Sequence, residues 1–91
     1  MTIDEYVAQA KKDGTPIIDV RPAEMYKEGH IPGAINIPLN HIETADVKNG
    51  SDLYCVTGYH AGIAHEELAK RGIETTVIGG IENYTGEVAR G

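Results

Sequence analysis

Asp52-Leu53-Tyr54-Cys55-Val56-Thr57-Gly58-Tyr59-His60 is the stretch on which the fold turns. Its first four residues read as a strand, and Gly58 marks the loop that follows. From Ala61 to Arg71 the pattern becomes helical, with Ala61, Ile63, Ala64 and Leu68 facing inward and Gly72 as the stop. Downstream, Glu74 to Ile78 reads as a β-branched strand, Gly79-Gly80 as its break, and Ile81 to about Tyr84 as a last helical turn. Upstream, Ala34 to Pro38 is a very short strand, Leu39 to about Ala45 a helical turn, and Lys48 to Ser51 a polar loop. Arg21-Pro22 opens a helix over about Ala23 to Glu28, Pro16 to Val20 is a buried strand, and Thr2 to Lys12 is a capped amphipathic helix ended by Gly14. Strands alternating with helices predict an α/β three-layer sandwich: a small, mostly parallel sheet of four to five short strands with helices on both faces.

The chain has 91 residues, room for a single domain over 1–91. Eight basic residues stand against 14 acidic ones, for a net charge of −6, and the basic residues are scattered. That excludes a nucleic-acid footprint. No run approaches the roughly 18 apolar residues of a membrane span. The stretch Met1-Thr2-Ile3-Asp4-Glu5-Tyr6 has neither a basic start nor an apolar core, so a cytoplasmic location is expected. One cysteine forms no internal disulfide and builds no multi-cysteine zinc site, and the four histidines lack a carboxylate-flanked metal motif. No metal is expected.

In open α/β sheets, ligands gather beyond the carboxyl ends of the strands. Cys55 lies at such an end, before a loop and a helix. If Val56, Thr57, Gly58, Tyr59, His60 and Ala61 curl round the sulfur, successive backbone N–H groups form an anion nest, and the positive end of the following helix adds to it. Such surroundings favour the thiolate, the reactive form of cysteine.

Three segments together resemble the rhodanese-like domains. Ile17-Ile18-Asp19-Val20-Arg21-Pro22, then Tyr26 and Gly29-His30-Ile31-Pro32-Gly33-Ala34-Ile35-Asn36-Ile37-Pro38, is similar to the first signature of that family. Tyr54-Cys55-Val56-Thr57-Gly58-Tyr59-His60-Ala61-Gly62 resembles its active-site loop, and Gly79-Gly80-Ile81 its terminal motif. The resemblance spans about residues 17 to 84. It implies a thiosulfate:cyanide-type sulfurtransferase in which Cys55 takes the sulfane sulfur of thiosulfate or a persulfide, holds it as a persulfide, and hands it to a thiol or cyanide. It also implies no organic cofactor, and it allows a relay to a thiol-carrying protein partner. Asp19 and Arg21 are expected to support the site by ion pairing, and His30 from a second layer.

The sequence departs from the family where charge matters. Loop positions that often carry Arg or Lys hold Val56, Thr57 and His60, so a doubly charged donor is expected to bind weakly, and better as pH falls and the imidazole gains charge. The usual Trp after the terminal Gly-Gly is replaced by Tyr84. The phosphatase and arsenate-reductase branch of this architecture needs an Arg six residues after the cysteine, where this chain has Ala61, so an oxyanion would lack its guanidinium clamp. His65 is expected on a helix surface, and Tyr59 at the mouth of the pocket. The short connection from Leu39 to Ser51 leaves little material for a lid, and an open, solvent-accessible site is expected.

Overall fold

A computed structural model describes residues 1–91. Helix α1 spans Ile3–Asp13 and begins in a capping box: the Thr2 hydroxyl accepts from the Glu5 amide at 3.2 Å, and the Glu5 carboxylate accepts from the Thr2 amide at 2.8 Å. Asp4 and Glu5 in the first turn, with Lys11 and Lys12 in the last, complement the helix dipole. Strand β1 is Ile17–Asp19, α2 Ala23–Glu28, β2 Ile35–Asn36, β3 Ser51–Cys55, α3 Tyr59–Lys70 and β4 Thr75–Gly80. Short 3₁₀ turns occupy Leu39–His41 and Ile81–Asn83.

The four strands lie in the order β2-β1-β3-β4, and every pairing is parallel. Successive side chains of a strand enter opposite faces, so two cores form. On one face Ile17, Tyr54 and Ile78 pack with Ile3, Val7 and Ala10 of α1, and Tyr26 of α2 closes over them. On the other, Ile18, Val20, Leu53 and Cys55 pack with Ala61, Ala64 and Leu68 of α3 and with Ile42 and Val47. These are the three layers.

The turn at Leu39 ends at His41 rather than about Ala45, Ser51 joins β3, and three further boundaries differ from the sequence reading for a backbone reason. β2 holds only two residues because it is an edge strand between Pro32 and Pro38, and Ile35 faces outward at 54% exposure. α3 begins at Tyr59 rather than Ala61, since Gly58 takes φ 105° and turns the chain directly into the helix. Gly79-Gly80 does not break β4. The register shifts after Leu53–Val77 so that Tyr54 pairs with Gly79 and Cys55 with Gly80, and Gly79 at φ 121° absorbs the irregularity.

Candidate active site

Cys55 ends β3 and is 1% exposed. Its Sγ accepts from the Gly58 amide at 3.0 Å and from the Ala61 amide at 3.3 Å. The expected nest is therefore two-pronged rather than a full ring. The Tyr59 amide goes instead to the Thr57 hydroxyl at 3.3 Å. Ala61 is fully buried, which places its N–H in the first turn of α3 directly over the sulfur, where the helix dipole points. Two N–H donors thus converge on Sγ, the arrangement from which an anionic sulfur accepts.

β4 supplies the floor of the loop. A Cβ at Gly80 would run into the Val56 carbonyl oxygen and lie 2.5 Å from the Thr57 Cα. The loop therefore rests directly on a glycine backbone, and the Val56 carbonyl accepts from the Glu82 amide at 3.3 Å. Sequence reading took these glycines for punctuation. A glycine inside a strand also signals close approach of another backbone, a signal that is lost when the pair is read as the end of the strand.

The remaining loop side chains face outward. Thr57 and His60 are exposed, Val56 is half-buried, and Tyr59 is 71% exposed with its ring edge-on to His60. His60 lines a groove of about 600 Å³ together with Val20, Pro22, Pro38, Leu39 and Asn40, contributed by the carboxyl ends of β1 and β2. Val20 and Cys55 belong to one packed cluster, against which Leu39 also lies. The sulfur itself is covered by its loop, so the openness expected from the short Leu39–Ser51 connection is found in the groove and not at Sγ.

Asp19 and Arg21 sit on the opposite face of the sheet from Sγ. Arg21 grips the Asp19 carboxylate through Nε at 3.0 and 3.1 Å and through Nη2 at 2.7 Å, and the Arg21 amide donates to Oδ1 at 2.9 Å. Nη2 also donates to the Gly29 carbonyl at 2.6 Å. Burial works against the guanidinium charge, and the Asp19 pair outweighs it, holding Arg21 above its ordinary value. Tyr54 completes the network: its hydroxyl donates to Asp19 Oδ2 at 2.7 Å and accepts from the Ile31 amide at 3.1 Å. Burial pushes the Tyr54 phenol well up, so it remains a donor at any ordinary pH. Asp19 and Arg21 are thus brought to the residue before Cys55, not to the sulfur.

His30 is not brought to the site. It is buried, stacks on Tyr26 with ring centroids 3.7 Å apart, donates from Nδ1 to the Tyr26 carbonyl at 2.8 Å, and pairs backbone to backbone with Ala89. His65 is half-buried and bonded through Nδ1 to the Thr75 hydroxyl at 2.9 Å, a cross-link from α3 to β4 rather than a plain surface residue. No group of three or more His, Cys, Asp or Glu side chains converges as a metal site would require. No helix is long and apolar enough to cross a membrane.

The family model for the rhodanese-like domain matches residues 2–87. The thiosulfate sulfurtransferase PspE of Escherichia coli is 38% identical over 61 residues, covering 60% of this chain and 59% of that protein. The solved structure of a rhodanese with anions from E. coli superposes with a TM-score of 0.73 at 31% identity, covering 85% of this chain and 99% of that one. The BH2092 protein of Bacillus halodurans gives a TM-score of 0.78 at 33% identity, covering 99% of this chain and 75% of that one. The chain spans between 20% and 59% of the length of the first curated relatives it matches.

Proposed function

The chain belongs to the rhodanese-like domain family, and from that premise we propose that it is a sulfurtransferase working through a persulfide on Cys55. The Cys55 thiolate attacks the outer sulfur of a sulfane donor, thiosulfate or a persulfide. A lone pair on Sγ forms the new S–S bond, and the old S–S bond breaks with its electrons leaving on sulfite or on the donor's thiolate. Attack by cyanide or a thiol on the outer sulfur then regenerates the Cys55 thiolate. One difficult displacement becomes two easier ones, with no organic cofactor. The amides of Gly58 and Ala61 stabilise anionic sulfur at the start and end of the cycle.

The observation that carries this reading is the pair of amides on Sγ, held over a glycine floor, in a loop that contains no arginine. That loop lacks the guanidinium a phosphate-transfer site needs. The same persulfide serves a relay to a thiol-carrying protein partner, a reading that the exposed Tyr59 at the crest of the loop favours. A single thiol that must stay reduced suits the cytoplasm. Release of thiocyanate from a sulfane donor and cyanide tests the assignment. Cys55→Ser is expected to fall to the uncatalysed rate, and a variant that kept its turnover would remove Cys55 from the mechanism.

A further inference from the structure

The groove beside Cys55 has a chemistry of its own. Its walls are Val20, Pro22, Pro38 and Leu39, with Asn40 and His60 as the only polar side chains, and no lysine or arginine lines it. The nearest arginine in sequence, Arg21, is turned into the opposite layer and fully engaged by Asp19 and the Gly29 carbonyl. Three further cations have partners elsewhere: Lys11 donates to the Pro32 carbonyl, Lys70 pairs with Glu67, and Arg71 donates to the Ile42 carbonyl. The whole chain carries −6, and no lysine or arginine lining the groove offsets that charge for an approaching dianion. Two backbone amides then face the full desolvation of a small doubly charged donor without help.

An apolar body meets none of these costs. It gains by covering the two proline rings and Leu39, and His60 is the residue through which the Cys55 loop borders the groove. We infer that this groove is the donor site and that it selects a sulfane donor with an apolar organic body and at most one negative charge over the inorganic dianion thiosulfate. The inference rests on the sulfur-transfer reading and narrows it. For an organic persulfide R–S–SH, the Cys55 thiolate forms a bond to the outer sulfur, the S–S bond breaks, and R–S⁻ leaves. For an organic thiosulfonate R–SO₂–S⁻ the step is the same and the sulfinate R–SO₂⁻ leaves. Charge is conserved in both.

Single-turnover persulfidation of the full chain, followed by intact mass, separates charge from shape. The probes are thiosulfate, methanethiosulfonate and benzenethiosulfonate, each corrected for its rate with a free model thiol. Benzenethiosulfonate is expected to exceed methanethiosulfonate by about tenfold, the usual yield of a filled apolar pocket, and both to exceed thiosulfate. Leu39→Ala is expected to slow benzenethiosulfonate several-fold more than methanethiosulfonate, so that the ratio between the two collapses, because only the large body reaches that wall. Asn40→Lys, at an exposed position that the fold does not use, is expected to raise the thiosulfate rate several-fold and to lose that gain in high salt. Thiosulfate reacting as fast as benzenethiosulfonate in the parent chain would overturn the inference and leave the sulfurtransferase intact. Leu39→Ala slowing both thiosulfonates equally would overturn it too, since the residue would then act through the loop. Failure of all three donors to load Cys55 would overturn the sulfur-transfer reading with it.

Discussion

Replacing Gly80 by alanine drives a methyl group into the Val56 carbonyl and toward the Thr57 Cα, backbone atoms with no rotamer to yield. The loop must lift, and both amide contacts to Sγ lengthen. Displacing a catalytic group by about an ångström costs on the order of a hundredfold. If the proposed transfer through Cys55 holds, Gly80→Ala is therefore expected to slow sulfur loading by about that much while keeping a native circular-dichroism spectrum. Activity within about twofold of the parent would show that the loop does not depend on its floor. A second expectation concerns Asp52, a buried carboxylate on β3 that burial alone pushes upward. Folding then favours its neutral form, so its contribution is fully present below the unfolded carboxylate range and lost as pH rises through the folded value. Asp52→Asn is expected to raise the melting temperature at pH 7 and to change nothing near pH 3; equal effects at both values would rule out the charge as the cause. Cys55 was legible at this scale because strand, loop and helix follow one another in the chain. Gly80 was not, because its partner is some two dozen residues away and only the folded sheet brings them together.

The elements around the sulfur are held from behind. Tyr54 links β3 to β1 through Asp19 and to the Ile31 loop through its oxygen, in the layer opposite Cys55. Tyr54→Phe leaves the Ile31 amide and one Asp19 lone pair buried without a partner, a loss of about 1–3 kcal/mol. Urea unfolding of the variant measures it, and an unchanged midpoint would show the hydroxyl to be idle. Sequence patterning located α1, α2 and the central strands to within a residue or two because periodicity and caps are local signals, as at Thr2 and Gly14. It mistook Gly79-Gly80 for a break because the bulge that lets β4 run on is set by pairing with β3, not by local propensity. His30 illustrates the same limit. Its motif is local, yet its partners are the Tyr26 ring and the carboxyl-terminal segment, and nothing nearby in sequence names them.

Over the whole molecule, residues 84–91 act as a strap. Thr85 bonds the Asp4 carboxylate through both its amide, at 2.9 Å, and its hydroxyl, Ala89 pairs with His30, and the Gly91 amide donates to the Lys27 carbonyl at 2.9 Å. The Thr85 hydroxyl holds the Asp4 carboxyl below its ordinary value, so its contribution is present at neutral pH and lost as pH falls through the depressed value. Removing residues 85–91 is expected to lower the urea midpoint at pH 7, and the deficit is expected to narrow below about pH 4 as Asp4 is protonated. A deficit independent of pH would assign the strap's value to the Ala89 and Gly91 contacts alone. The groove also belongs to this scale. It joins residues 20 to 22, 38 to 40 and 60, which no motif connects, so sequence alone gave its charge deficit but not its apolar walls. The central question remains whether sulfur becomes covalently attached at Cys55, and intact mass after incubation with excess sulfane donor answers it most directly. A gain of one sulfur atom that cyanide removes, absent from Cys55→Ser, is the expected result. An unchanged mass in the parent chain, or an equal gain in the serine variant, would contradict it.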